Sequence, residues 1–289
     1  MVTVGSIWSG TFRFIRDNIA AIAVWSGVMF LVTMVTMLAM APFQAQMAAM
    51  QPGAQQMPNM GGFFVAMLVM LIAFVILWAA AFRAVFFPER SSFFYLRAGM
   101  DELRLLGVIL LVFVGGYIAA IIVGMILSVL LVLVGRLVGG DAGAGLAGIV
   151  GMLLVFGGAI WAAVRISPTG PLTIYREKVM IGPAWRLTRG AFWRLFGAYV
   201  LMAIVMFVAY MAVFAVELGA QGSSFSDPQA AIRAMQAMQG GASMGQRIVY
   251  SLMSGIVGGV GIALQAGMTA VATRQLLGLG DDRLQEVFE

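Results

Sequence analysis

The chain has 289 residues, of which 62% are hydrophobic and 10% charged, and it carries a net charge of +5. A soluble domain holds about a quarter charged residues, so a mean hydropathy of +1.00 excludes an ordinary globular fold in water. Cysteine and histidine are both absent, which removes disulfides, thiolate and imidazole metal sites, histidine-based triads and histidine pH switching.

The N-terminal segment carries Arg13 and Arg16 and leads into an apolar run over residues 19–41. Ala39-Met40-Ala41 has the small-x-small form of a signal cleavage site. The run is, however, about twice as long as a signal-peptide core, so an uncleaved first span is expected. Five further apolar stretches follow, over residues 63–82, 105–134, 142–164, 195–216 and 248–273. Each meets the roughly 20 residues that a helix needs to cross the hydrocarbon. None alternates apolar with polar residues, which argues against a transmembrane barrel and leaves helices as the spanning structure. The expected fold is an all-α integral membrane protein with six transmembrane helices.

Between the first two spans lies QMAAMQPGAQQMPNM, residues 46–60, echoed by AMQAMQGGASM at 234–244. The thioethers of Met47, Met50, Met57, Met60, Met235, Met238 and Met244 are soft enough for Cu(I). Methionine serves equally as a flexible apolar filler, and no cysteine or histidine assists. A pair of short amphipathic helices on the outer surface is the expectation here, the second started by Ser226, Asp227 and Pro228. No metal or cofactor is assigned.

Cations sort by side. Arg13 and Arg16, then Arg83, Arg90, Arg97 and Arg104, then Arg165, Arg176, Lys178, Arg186, Arg189 and Arg194, and finally Arg274 and Arg283 fall on one face, fourteen of seventeen. Arg136, Arg233 and Arg247 fall on the other. Because lysine and arginine are retained on the cytoplasmic side, both termini are expected in the cytoplasm. Sixteen arginines to one lysine point to a GC-rich bacterial genome and carry no functional weight; a multi-pass protein of the bacterial inner membrane is the expectation.

Short patterns recur along the chain. Gly5, Trp8 and Thr11 reappear at the same spacing as Gly182, Trp185 and Thr188, and Arg104-Leu-Leu-Gly107 returns as Arg194-Leu-Phe-Gly197. Ala80-Ala-Phe-Arg83 resembles Ala162-Ala-Val-Arg165 and, more loosely, Val271-Ala-Thr-Arg274, while Pro88 and Tyr95 match Pro168 and Tyr175. These predict three parallel repeats, over residues 1–87, 88–167 and 168–289, each a helical hairpin preceded by a cytoplasmic interfacial helix.

Arg97, Asp101 and Arg104 share one sector of such a helix, and tryptophan with arginine over 185–196 suits the headgroup level. Arg176, Lys178, Arg186, Arg189 and Arg194 are candidate contacts for anionic lipid, each adding about 1 kcal/mol near the surface. Plain positive-inside topology with aromatic anchoring explains the same residues. Gly255 and Gly259 form a small-xxx-small pair suited to close helix packing.

The spans hold almost nothing that ionises. Gln265, Thr269, Tyr117, Tyr199 and Tyr210 are expected to bond across helices, and Glu217 with Arg247 to form an interfacial ion pair. Paired carboxylates and nucleophile-base arrangements are missing, so no enzyme is expected. Topology accounts for the basic balance without nucleic acid.

The interfacial helices, the TRGAFWRLFG stretch at 188–197 and the arginine closing each even-numbered span resemble a group of six-span bacterial inner-membrane proteins. That group is similar to the membrane domain fused to some glycerophosphoryl diester phosphodiesterases. The family's hydrolase uses catalytic histidines, and this chain has none, so the resemblance implies the membrane domain without phosphodiesterase activity. The expected function is non-enzymatic organisation or handling of membrane phospholipid, or service as a subunit of a membrane complex or homo-oligomer. A transporter permease working with a separate ATPase, docked through residues 88–100 and 168–190, is the alternative.

Overall fold

The computed structural model describes residues 2–49, 58–89, 91–220 and 243–279. Among them there is helix throughout and no strand. The helices are α1 (Val4–Asp17), α2 (Ile19–Ala49), α3 (Gly61–Phe86), α4 (Met100–Ile166), α5 (Thr169–Arg176), α6 (Ile181–Leu187), α7 (Phe192–Ala220) and α8 (Met244–Leu276), with a short turn at Ser92–Tyr95. Of these, α2, α3, α4, α7 and α8 are long and apolar enough to cross a membrane. The chain divides into two compact units, one of Met1–Thr3, Gly99–Phe196 and Ala272–Glu289, the other of Val4–Ala98 and Gly197–Val271.

In the second unit, α1 buries Ile7, Trp8, Thr11 and Phe14, whose three- and four-residue spacing makes one face. The helix closes where the Asn18 side-chain amide donates to the Phe14 carbonyl at 2.9 Å, and α2 begins at the next residue. At 31 residues, α2 is about 46 Å long by the rise of an α-helix. Hydropathy ends this span at residue 41, yet the helix continues through Pro42 to Ala49. The reason is propensity: Gln, Ala and Met after the proline are good helix formers even where the sequence stops being apolar. Met47 therefore sits on the end of α2 and not on a separate surface helix, and Met60 sits just before α3. Met50, Met57, Met235, Met238 and the start signal at 226–228 lie outside the described residues.

Antiparallel to α2 runs α3. Gly62 meets the Ala39 carbonyl, and the ring of Phe63 lies 6.2 Å from that of Phe43. The C-terminal half of α3 is core, with Leu77, Ala79, Ala80, Ala81 and Phe82 fully buried; the alanines allow close approach of neighbours. On its other side α2 receives α8. A β-carbon at Gly255 would fall 2.7 Å from the Phe30 backbone, and one at Gly259 2.6 Å from that of Ser26. Backbones approach here as they can only without side chains. Gly258 rests against Met29, so this helix pair also runs antiparallel, and further along α8 Gly267 rests against the ring of Phe14 in α1.

In the first unit, α4 spans 67 residues but is bent back on itself at Gly139 and Gly140. Gly140 has φ +60°, a conformation that glycine adopts without a steric cost. The facing pairs Gly124 with Val155, Leu131 with Gly151, and Gly135 with Gly143 show the two arms running antiparallel. Most of α4 exposes its apolar side chains, up to 85% at Val138.

Two expected interfacial helices take other forms. Residues 100–106 are the opening turns of α4, with Gly99 as its cap and the Glu102 carboxylate accepting the Gly99 N–H at 2.9 Å, and Arg97 precedes the helix. Residues 185–196 are split between α6 and α7 by a turn in which Gly190 has φ +83°.

Candidate functional site

The connection from α4 to α7 concentrates charge. Residues 165–194 hold six cations and a single acid, Glu177. Anchorage comes from below: α5 buries Thr169, Pro171, Leu172, Thr173 and Ile174, and the Thr173 hydroxyl donates to the Thr169 carbonyl at 2.7 Å. The helix stops at Glu177, whose φ of +54° turns the chain in the left-handed region. Arg176 and Lys178 flank this turn, both exposed, with the Arg176 guanidinium 5.3 Å from the centre of the Tyr175 ring.

Next, α6 buries Ala184 and presents Trp185 and Arg186 outward. It ends on Thr188, which is fully buried. The Thr188 hydroxyl lies 3.1 Å from the carbonyls of Arg165 and Trp185 and 3.3 Å from that of Ala184. Its single proton is shared among them and ties α6 to the end of α4. Arg189 is exposed on the following turn. Arg194 is exposed too, but its two terminal nitrogens donate to the carbonyls of Val2 at 3.0 Å and Gly190 at 3.3 Å, so it fastens the N-terminal strand of chain to α7. Among the described residues no carboxylate pairs with Arg176, Lys178, Arg186 or Arg189.

Arg165, near the end of α4, packs against a pair of indoles. The rings of Trp161 and Trp185 meet edge to face at 5.1 Å, and each centroid lies 5.5 Å from the guanidinium carbon. Trp161 stands one turn before Arg165, a spacing visible in the sequence. Trp185 comes from α6 and has no such signal.

The remaining polar candidates separate. Tyr117 and Tyr210 are 63% and 48% exposed, directed away from the helix packing. The Thr269 hydroxyl donates within α8 to the Gln265 carbonyl at 2.7 Å. The side chain of Glu217 lies outside the described part, so its pairing with Arg247 does too. Among the described residues no cluster of acidic ligands could hold a metal ion.

A second structured connection was not evident from the sequence. At Ser92–Tyr95 three consecutive residues, Phe93, Phe94 and Tyr95, have φ of 49°, 56° and 64°. The buried Arg83 donates from Nε and Nη2 to the Tyr95 carbonyl at 3.2 and 2.9 Å, and the Trp25 indole donates to the Phe94 carbonyl at 3.2 Å. The Tyr95 hydroxyl donates to the Pro88 carbonyl at 3.1 Å. The turn leaves Phe93 76% exposed.

Long apolar helices whose hydrophobic side chains face outward define the class: a multi-pass, all-helical membrane protein. Comparison of the chain with protein-family models, curated proteins and solved structures finds no match to any of them.

Proposed function

We propose that this chain is a non-enzymatic protein of the bacterial inner membrane that binds and organises anionic phospholipid at the cytoplasmic face. It crosses the bilayer six times as three tandem hairpins, with the two arms of α4 counting as two crossings and both termini in the cytoplasm. The likeness of its sequence to the membrane domain fused to some glycerophosphoryl diester phosphodiesterases is in keeping with that setting.

One observation carries the reading. Arg176, Lys178, Arg186 and Arg189 are exposed, unpaired with any carboxylate among the described residues, and follow one another in the connection that also contributes Trp185 to the indole pair at the end of α4. Tryptophan is at home at the membrane–water boundary, and a basic cluster there attracts anionic headgroups by about 1 kcal/mol per cation. Surface cations serving topology alone need neither this density nor the left-handed turns at Glu177 and Gly190.

The test is native mass spectrometry of the purified protein mixed with phosphatidylglycerol and phosphatidylcholine of equal chain length. Wild-type protein is expected to retain phosphatidylglycerol preferentially. The variant with Arg176, Lys178, Arg186 and Arg189 all changed to Gln should lose that preference by about tenfold or more. Equal retention of the two lipids by wild-type protein would refute the proposal.

A further inference from the structure

Arg83 and Arg165 each close a long apolar helix in an Ala-Ala-x-Arg run, yet the fold treats their guanidinium groups differently. Arg83 directs two nitrogens at one oxygen, the Tyr95 carbonyl. Arg165 has no such partner. Its Nε and Nη1 are shut off from solvent and meet no hydrogen-bond acceptor, and no carboxylate pairs with it among the described residues. What surrounds it is the indole pair, Trp161 and Trp185, at 5.5 Å each.

Charges taken out of water are ordinarily paired or fully hydrogen-bonded. The π faces compensate part of the loss of hydration, but they bring no negative charge. A flat guanidinium packed against one side of an edge-to-face ring pair is restricted in direction, which suits it to a planar or tetrahedral oxyanion and not to a diffuse counter-ion. Thr188 holds the assembly from behind through the Arg165 carbonyl, so the backbone of the site is anchored independently of the side chain.

We infer that Arg165 is an oxyanion-binding residue whose ligand is the phosphate of a phospholipid headgroup, oriented by Trp161 and Trp185. The phosphate oxygen approaches Arg165 at Nη2, the one guanidinium nitrogen that is not shut off from solvent. The exposed cations of the same connection raise the local concentration of anionic lipid, and Arg165 supplies the fixed contact. This inference rests on the lipid reading given above and adds a phosphate-recognising residue to it.

The experiment uses the full-length protein in detergent, titrated with dioleoyl phosphatidylglycerol, with dioleoylglycerol, which has the same chains and no phosphate, and with inorganic phosphate. Binding is read by native mass spectrometry and by the shift in tryptophan fluorescence. Wild-type protein should bind phosphatidylglycerol at least about tenfold more tightly than dioleoylglycerol, and Arg165→Gln should lower that ratio about tenfold, the four exposed cations accounting for what remains. Arg165→Lys, which keeps the charge and loses the planar fork, should fall between them and serves if the Gln variant does not fold. Arg83→Gln, at a guanidinium engaged by the Tyr95 carbonyl, should bind lipid as wild type does.

Undiminished phosphatidylglycerol binding by Arg165→Gln overturns the inference. If the four-cation variant loses lipid while Arg165→Gln keeps it, the inference falls and the wider proposal stands. If wild-type protein shows no preference for phosphatidylglycerol, both fall. An equal fluorescence response to inorganic phosphate, lost in Arg165→Gln, overturns the lipid assignment in favour of free phosphate.

Discussion

Phe93, Phe94 and Tyr95 occupy the left-handed region in succession, where each L-residue is disfavoured by about 1–2 kcal/mol. Nothing in Ser-Phe-Phe-Tyr announces this, because glycine and asparagine are the usual signals for positive φ and neither is present. What holds the turn lies elsewhere in the chain: the two bonds from Arg83 and the one from Trp25. In the sequence Arg83 is legible only as a topological charge. Phe93→Gly removes strain at a side chain that is 76% exposed. It should raise stability by several tenths to about 1 kcal/mol after the added flexibility of glycine in the unfolded chain is subtracted. Thermal unfolding in detergent checks this, and a lower midpoint contradicts it. Arg83→Gln should lower stability by about 2–3 kcal/mol, because a charge-assisted pair of bonds is lost in a buried place; an unchanged midpoint would show that the turn holds itself.

Helices differ in how much of them hydropathy reveals. The apolar stretches at 63–82 and 248–273 fall inside α3 and α8, whereas α2 outlasts its apolar run by eight residues because propensity and hydropathy part company at Pro42. Thr11 and Thr188, which share the Gly-x-x-Trp-x-x-Thr spacing, are both buried and lie 2.8 and 3.3 Å from the carbonyl four residues back, but Thr33, Thr36, Thr173 and Thr269 make the same bond without that spacing. Gly255 and Gly259 stand out by their spacing, but their partner, α2 at Phe30 and Ser26, is set by packing that no single-sequence pattern encodes. Not all glycines are alike in this respect. Gly259→Val should lower stability by about 2 kcal/mol or more, since its β-carbon would overlap backbone. Gly157→Ala, with nothing within 4 Å, should be neutral or stabilising by up to about 1 kcal/mol from helix propensity. Parallel melts of the two variants decide the matter, and equal losses would mean that α8 does not seat on α2 through these residues.

Across the chain, one solvent argument unites the observations. A helix as long as α4 with Leu137 and Val138 more than 80% exposed places its side chains where water would be the worst neighbour and acyl chains the natural one. Composition alone made that legible. The fold-back at Gly139 and Gly140 was legible only as a gap between two apolar stretches, and of the cation–indole arrangement at Arg165 only the one-turn spacing of Trp161 was legible, since Trp185 reaches it from another helix. The account requires the two ends of α4 to lie on one side of the membrane. Because the chain has no cysteine, single-cysteine variants report this directly with a membrane-impermeant maleimide on intact and permeabilised cells. Ser92→Cys and Lys178→Cys should react only after permeabilisation, and Asp141→Cys should react in intact cells. Labelling of Lys178→Cys from outside, or of Ser92→Cys and Lys178→Cys from opposite faces, would contradict the account.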